Sequence, residues 1–383
     1  MGKLILTPLA GGILTAFHDG SRLRQLDWNK MDDEPRCGDI YRAKISSVNR
    51  NIQAAFAGLG GQNGYLQLGE NDKIKTGDEL TLQVSKEAVK TKLPVMTRQL
   101  SFPGKYLVFL PGGRGLHLSH KLEQNAVPEQ LTKALLALSE NCGIILRTNA
   151  AQAEPEEILR EAGRLQKLTE EITVRAAHSV CPARLYRDDE PWLASLRDRN
   201  AAEIEEILTD DKVLYEKAEG WLRMRQPEDL KKLRFYEDQQ LSLNALYSLE
   251  KALEKALEKR VWLKSGGYLV IEPTEAMTVI DVNTGKNEGH KSFEETIFQT
   301  NLEAAEEIAV QLCLRGISGS IIVDFINMRE EEHRKMLLER LESCVRTDPV
   351  HTEVLDMTKL GLVEMTREKR TAPLARKLAA AGL

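Results

Sequence analysis

Two aspartates in the last third of this 383-residue chain, Asp281 and Asp324, each stand directly after a short apolar run. Met277-Thr-Val-Ile280 leads into Asp281-Val-Asn283, and Ser320-Ile-Ile-Val323 leads into Asp324. Short runs rich in β-branched residues read as strands. Between them, Phe293 to Leu314 carries Ile297, Phe298, Leu302, Ala305, Ile308 and Leu312 at helical spacing and stops at Gly316, which predicts an amphipathic crossover helix. Strands joined in this way run parallel, so both carboxylates stand at the same edge of one sheet, where α/β proteins hold their ligands. Two carboxylates side by side repel unless a cation lies between them, and Mg2+ takes oxygen ligands while keeping several waters. Asn283, two residues after Asp281 and on the same side of an extended chain, is spaced to hydrogen-bond that carboxylate and orient it. Lys286, after Gly285, suits a phosphate as well as it suits a solvated turn. An acid at a strand end also caps the following helix in many proteins. Asn327 is the better N-cap for a helix from Arg329 onward, and residue type and spacing leave the capping and metal readings both open.

The elements that must position these residues follow from the rest of the pattern. Gly267 to Pro273 reads as a further strand and Glu330 to Val345 as a second helix, a β-α-β-α order in the last third. Upstream, Ile40 to Val48, Ile52 to Phe56, Gly64 to Leu68 and Glu79 to Val84 are short β-rich runs broken by glycines, as in a small barrel of about five strands. Strands at Lys105 to Leu110 and Gly143 to Arg147 alternate with helices at about 128–139 and 154–177, a compact α+β pattern. From about Pro191 to Val261 the reading is mostly helical, with Leu246, Leu249, Leu253 and Leu257 on one face. At the N-terminus, Asp19-Gly20 marks a hairpin turn, and Pro8, Gly11 and Gly12 interrupt the apolar stretch that a signal peptide needs.

Composition bounds the function classes. Hydrophobic residues at 42% and charged residues at 29% exclude a disordered, collagen-like or membrane-spanning chain, and the length calls for more than one core. The net charge of -5 argues against a protein that coats nucleic acid through bulk charge. The barrel segment from Arg36 to Arg98 is nonetheless locally basic, with ten Lys and Arg against six Asp and Glu, so a polyanion partner belongs there. The five cysteines are scattered with no C-x-x-C pair, which fits reduced thiols in a cytoplasmic protein and no structural zinc from this chain.

Two more groups carry binding chemistry. Phe56 and Tyr65 are barrel aromatics on which bases can stack, although the alternation of Ile52, Ala54 and Phe56 favours a plain core role for Phe56. Arg147-Thr148 follows a strand and pairs a guanidinium fork with a hydroxyl, a suitable grip for a terminal phosphate, whereas residue type alone reads Arg147 as an ordinary surface residue.

The runs IDVNTGK from Ile280, TNLEAAEEIA from Thr300, VDFINM from Val323 and LGLVEMTREKR from Leu360 resemble signatures of the ribonuclease E/G family. Upstream, GDIYRAKISSV from Gly38, IQAAFAGLG from Ile52, NGYLQL from Asn63, GKYLVFLP from Gly104 and IILRT from Ile144 resemble its S1 domain and 5′-end sensor in order, so the resemblance spans nearly the whole chain. It implies an α/β and α+β multidomain fold: an RNase H-like layer with an inserted S1 (OB) barrel and a 5′-sensor domain, followed by a DNase I-like catalytic domain. The implied ranges are 1–36 and 191–258 for the RNase H-like layer, 37–98 for the barrel, 99–190 for the sensor and 259–383 for the catalytic domain. It further implies an endoribonuclease of rRNA and mRNA processing and decay that cleaves single-stranded RNA, leaves 5′-phosphate and 3′-hydroxyl ends, and is stimulated by a 5′-monophosphate. Asp281 and Asp324 would bind Mg2+ and Asn283 would orient Asp281. Phe56, Tyr65 and Lys92 would contact RNA, and Arg147 and Thr148, with Gly115 and Leu116 opposite, would sense the 5′ end.

The chain departs from the family pattern in places. The paired-cysteine zinc link and acidic scaffold tail are expected to be missing, so a homo-oligomer is open but not one built through zinc. Asn327 stands where the family often has a third acid, Leu93 where glycine is usual, and His351 where a basic residue supports the sensor. The rival readings are a non-catalytic S1-type RNA-binding protein and a metal-dependent phosphoesterase for another substrate.

Overall fold

The computed structural model describes residues 2–88, 92–119, 122, 127–199, 203–238, 240–285 and 293–382. They form a mixed α/β protein of two compact units, one of residues 1–31, 202–222 and 228–383 and the other of residues 32–201 and 223–227.

The first unit contains two sheets. Its six-stranded sheet runs in the order Arg260–Trp262, Tyr268–Pro273, Met277–Asn283, Gly319–Asp324, Leu362–Arg367 and Thr352–Met357. The third and fourth strands pair in parallel, as the crossover requires, and the remaining pairs are antiparallel. Ile280, Val282, Ile321 and Val323 are buried together against Ile297, Phe298, Ala305, Ile308 and Leu312 of the helix Phe293–Arg315. Each such fully buried branched or aromatic side chain contributes roughly 1.5–3 kcal/mol, so the alternation of these strands decides which face turns to the core. The helix Glu331–Val345 adds Leu337, Leu341 and Val345 to the same core.

The five-stranded sheet begins with a meander of Lys3–Leu9, Gly12–His18 and Leu23–Lys30. Its first turn places Ala10 and Gly11 at positive φ, the geometry that matches strand twist in a tight hairpin. In the second turn the Asp19 carboxylate accepts the backbone N–H groups of Ser21 and Arg22. Two strands, Glu206–Thr209 and Leu233–Phe235, complete the sheet in parallel with Lys3–Leu9. The mostly helical reading of 191–261 is therefore corrected, because these strands are too short to show a period: Glu206–Thr209 is held by pairing with the N-terminal strand some 200 residues away, and Leu233–Phe235 by pairing with Glu206–Thr209. The expected continuous leucine face is also broken. The helices Leu243–Tyr247 and Leu249–Leu257 are separated at Ser248 (φ 51°), which buries Leu249 and leaves Leu246 and Leu257 exposed.

In the second unit, Ile40–Asn49, Ala54–Gly58, Asn63–Gln67, Glu79–Lys86 and Val95–Thr97 close into a five-stranded barrel through the pairing of the first with the fourth. A four-stranded sheet follows in the order Gly115–Leu118, Gly143–Leu146, Leu107–Leu110 and Phe102–Pro103. The helix Pro155–His178 packs on it, and its buried Glu161 carboxylate accepts the backbone N–H groups of Lys105, Tyr106 and Leu107.

Candidate functional site

Asp281 and Asp324 are direct register partners across the parallel strand pair. Their inward neighbours Ile280 and Val323 are buried, so the alternation turns both carboxylates to the opposite, exposed face. Adjacent strands lie about 4.8 Å apart, which brings the two acids side by side. Among the described residues neither forms an ion pair. Asn283 projects on the same face, and its amide Nδ2 donates to Asp281 Oδ2 at 2.8 Å. Among the described residues no group of three or more His, Cys, Asp or Glu side chains assembles as a metal cage. Two uncompensated carboxylates, one oriented by an amide, are a donor set suited to a hydrated Mg2+ and unsuited to a closed zinc site.

The surroundings hold this edge in place. Asn301, fully buried in the crossover helix, donates through Nδ2 to Ile326 O at 2.8 Å and accepts from Ile326 N at 3.1 Å. It thereby pins the loop that leaves Asp324. Asn301 was not singled out from the sequence; the signal was an amide among the apolar positions of an amphipathic helix. Glu303, two residues on, accepts the backbone N–H groups of Lys264 and Ser265. A side chain at Gly267 would meet Asn283 O at 2.7 Å, so the chain passes close under Asn283 only because that residue is glycine. Arg367, at the far end of the neighbouring strand, pairs bidentately with buried Asp348 at 2.7 and 3.0 Å.

Asn327 does not cap the following helix. That helix starts at Glu331 with Glu330 at its N-cap, because the intervening backbone is engaged elsewhere, Arg329 N donating to the Glu294 carboxylate at 2.7 Å. Asn327 instead lines, with Arg334, Lys359 and Leu360, a cavity of about 320 Å3 beyond Asp324. Lys286 lies outside the described residues.

On the barrel, Phe56 and Tyr65 are register partners whose rings meet edge to face at 6.1 Å. The reading of Phe56 as core is corrected. Ala55 and Ala57 fill the narrow interior, while Phe56 alternates outward and stays half-buried beside Tyr65. Lys92 is exposed. Arg147 follows the strand Gly143–Leu146 and is bound to Asp198 at 2.8 Å and to Gly104 O; Thr148, next to it, is exposed. Gly115 is the register partner of Gly143, four residues before Arg147 and so about 13 Å along the strand; the structure does not bring it, or Leu116, to the arginine. Ser119 reaches that end, its N–H bonded to Leu146 O at 2.9 Å.

Arg147 belongs to a charge cluster. Arg197, 7% exposed, lies 3.1 Å from Asp198, 3.8 Å from Asp188 and 3.7 Å from Asp189, and Arg225 lies 3.1 Å from Asp189. Burial pushes the Asp198 carboxyl up, but Arg197 and then Arg147 outweigh it and hold it below the usual carboxylate range. For Asp188 burial prevails over Arg197 and the carboxyl is raised.

The sequence model of the Ribonuclease E/G family matches residues 101–370. Ribonuclease G of Escherichia coli (strain K12) is 34% identical to this chain over 377 residues, covering 92% of this chain and 77% of that protein. Ribonuclease G of Haemophilus influenzae is 33% identical over 378 residues with the same coverage. Ribonuclease E of Synechocystis sp. is 34% identical over 353 residues, covering 87% of this chain and 52% of that protein.

Proposed function

Because this chain belongs to the ribonuclease E/G family and is an endoribonuclease, we propose that Asp281 and Asp324 form its catalytic centre and cut internal phosphodiesters of single-stranded RNA in the presence of Mg2+. The observation that carries this reading is the pairing in register of two exposed carboxylates that form no ion pair among the described residues, with Asn283 bonded to one of them. In this reading the five-stranded sheet is the RNase H-like layer, the barrel an S1 domain, the four-stranded sheet with its helices a 5′ sensor and the six-stranded sheet a DNase I-like catalytic domain.

Mg2+, when bound, would supply an activated water and charge neutralisation at the phosphorus, leaving a 5′-phosphate and a 3′-hydroxyl. The two carboxylates would hold the ion, and Asn283, bonded to Asp281, would keep that carboxylate from rotating away from it. Asn301 keeps the loop after Asp324 from moving the second carboxylate. Phe56 and Tyr65 offer faces for unpaired bases, with Lys92 for a phosphate. Arg147 and Thr148 would receive a 5′-monophosphate, Arg147 with its orientation preset by Asp198. No helix among the described residues is long and apolar enough to cross a membrane, and we place the enzyme in the cytoplasm with RNA as its partner.

The test is incubation of a 5′-labelled, unstructured RNA with wild type, Asp281→Asn and Asp324→Asn in Mg2+ or EDTA. Cleavage by wild type in Mg2+ alone, with both variants slower by about a thousandfold, is expected for the loss of several kcal/mol of metal-borne stabilisation. Equal cleavage by all three proteins would overturn the assignment. A comparison of 5′-monophosphate and 5′-hydroxyl RNA tests the sensor role separately.

A further inference from the structure

The face that carries Asp281 and Asp324 does not end at those strands. The register sets two rows across the sheet: Trp262 opposite Tyr268 and Tyr268 opposite Asn283, then Arg260 opposite Val270 and Val270 opposite Asp281. Leu269 and Ile271 point to the core, so Arg260, Trp262 and Tyr268 share the open face with the acids. Trp262 is 64% exposed, and its ring lies 5.3 Å from that of Tyr268. The Arg260 guanidinium sits 4.6 Å from the Tyr268 ring centre and 5.6 Å from that of Trp262, and among the described residues it pairs with no carboxylate.

Trp262 and Arg260 both stand on the edge strand, two strands from Asn283 and Asp281, which puts Trp262 about 10 Å across the sheet from Asn283, and Arg260 about 10 Å from Asp281 and about 14 Å from Asp324. The strand residues on the two flanks of this face differ in sign. Beyond Asp324 the same face carries Glu364, Asp356 and Glu353, all exposed, which repel a phosphate backbone. On the Arg260 side the one carboxylate of the adjoining strand, Glu272, is neutralised by Lys259 at 3.0 Å. A polyanion reaching Asp281 is therefore steered to the aromatic flank.

We propose that Trp262, Tyr268 and Arg260 form a stacking platform that holds a nucleobase of the RNA strand next to the phosphodiester being cut. The proposal rests on reading Asp281 and Asp324 as the nuclease centre. Stacking on an aromatic face accepts any base, so the platform positions a single strand without reading its sequence, and a base paired in a duplex cannot reach it.

The chain has four tryptophans, and Trp28, Trp192 and Trp221 are buried, so the solvent-exposed component of the fluorescence reports Trp262. Titration with a short unstructured RNA in EDTA is expected to quench that component in wild type. In Mg2+, Trp262→Leu is expected to raise KM at least about fivefold with kcat within about twofold, the lower end of the effect of one stacked base. Trp262→Phe is expected to restore most of the affinity, and Arg260→Gln to raise KM without changing the fold, which circular dichroism checks. Wild-type cleavage with an unchanged KM in Trp262→Leu and no quenching overturns the platform alone. So does an unchanged KM accompanied by a smaller particle on gel filtration, which would make the patch a contact between copies of this chain. A wild type that cuts no RNA overturns the platform together with the nuclease reading.

Discussion

Carboxylates crowd two regions of this molecule under opposite conditions. At the edge of the six-stranded sheet, Asp281 and Asp324 are exposed, adjacent and without cationic partners among the described residues. In the other unit, Asp188, Asp189 and Asp198 are laced with Arg197, Arg225 and Arg147. Like charges left facing each other cost stability in the empty protein and are useful only to a ligand of opposite sign. Charges matched by arginine have their partners built in, and the net effect is to hold neighbouring backbone and side chains, Arg147 among them, in one arrangement. A count of acids does not separate the two regions; what separates them is that the convergent pair has no counter-ion among the described residues, and our metal proposal rests on that difference.

If that distinction is right, neutralising an acid has opposite consequences in the two places. Asp281→Asn and Asp324→Asn should each lower cleavage about a thousandfold while leaving the melting temperature in EDTA unchanged or higher, because a repulsion is removed. A clear drop in that temperature would show these acids to be structural. Arg197→Met should do the reverse in kind. With the buried cation gone, Asp188 loses its ion-pair partner while Asp198 and Asp189 keep only Arg147 and Arg225, so unfolding in urea should become easier by about 3–5 kcal/mol. A loss below 1 kcal/mol would mean that the cluster is solvated and its arginines are not needed to hold it.

Asn283→Ala removes only the amide that orients Asp281. The Mg2+ concentration for half-maximal cleavage should rise about tenfold to a hundredfold with the fold intact, and an unchanged Mg2+ dependence would remove Asn283 from the site. The smallest effect is in the pH dependence. Burial raises the Asp39 carboxyl against the backbone N–H groups of Asp188 and Arg36 that it accepts. A raised folded-state pKa means that the folded state takes up the proton first, so wild type should gain stability relative to Asp39→Asn as pH falls from 7 toward the unfolded carboxylate value of about 3.9. Asp198 is held low, so its stabilisation is complete above that value and is lost only below it. The difference between wild type and Asp198→Asn should stay flat from pH 7 to 5. Melting temperatures of the three proteins across that range separate the two cases, and a slope for Asp198→Asn would contradict the ion pairing.

Long periodic segments were legible from residue order alone. The crossover helix, predicted over 293–314, spans Phe293–Arg315, and the run Ser320 to Val323 before Asp324 lies in the strand Gly319–Asp324. Their apolar residues recur at one clear period and face one core. Four of the barrel strands were legible for the same reason, with glycines marking the breaks, whereas the three-residue strand Val95–Thr97 was not. Glu206–Thr209 and Leu233–Phe235 were not, because four and three residues cannot display a period and their stability comes from pairing, the first with the N-terminal strand and the second with the first. Phe56 was misread because alternation sorts residues into two faces without saying which is inside. The small side chains of Ala55 and Ala57 decide that once the barrel closes.

By itself the sequence determined the residue types at the site: two acids ending β-branched runs, an amide two residues after the first, and a helix long enough to return the chain in parallel. It also determined the family. Only the tertiary structure decided that Asp281 and Asp324 are register partners on the exposed face, and that Asn301 pins the loop between them and the next helix. It likewise decided that Gly115 lies away from Arg147 and that Trp262 and Arg260 share the face of the acids. The reason is that strand register is set by pairing between distant segments, where a shift of one residue turns every side chain to the other face. Spacing within a single run of sequence carries no information about which residue of another strand it will meet.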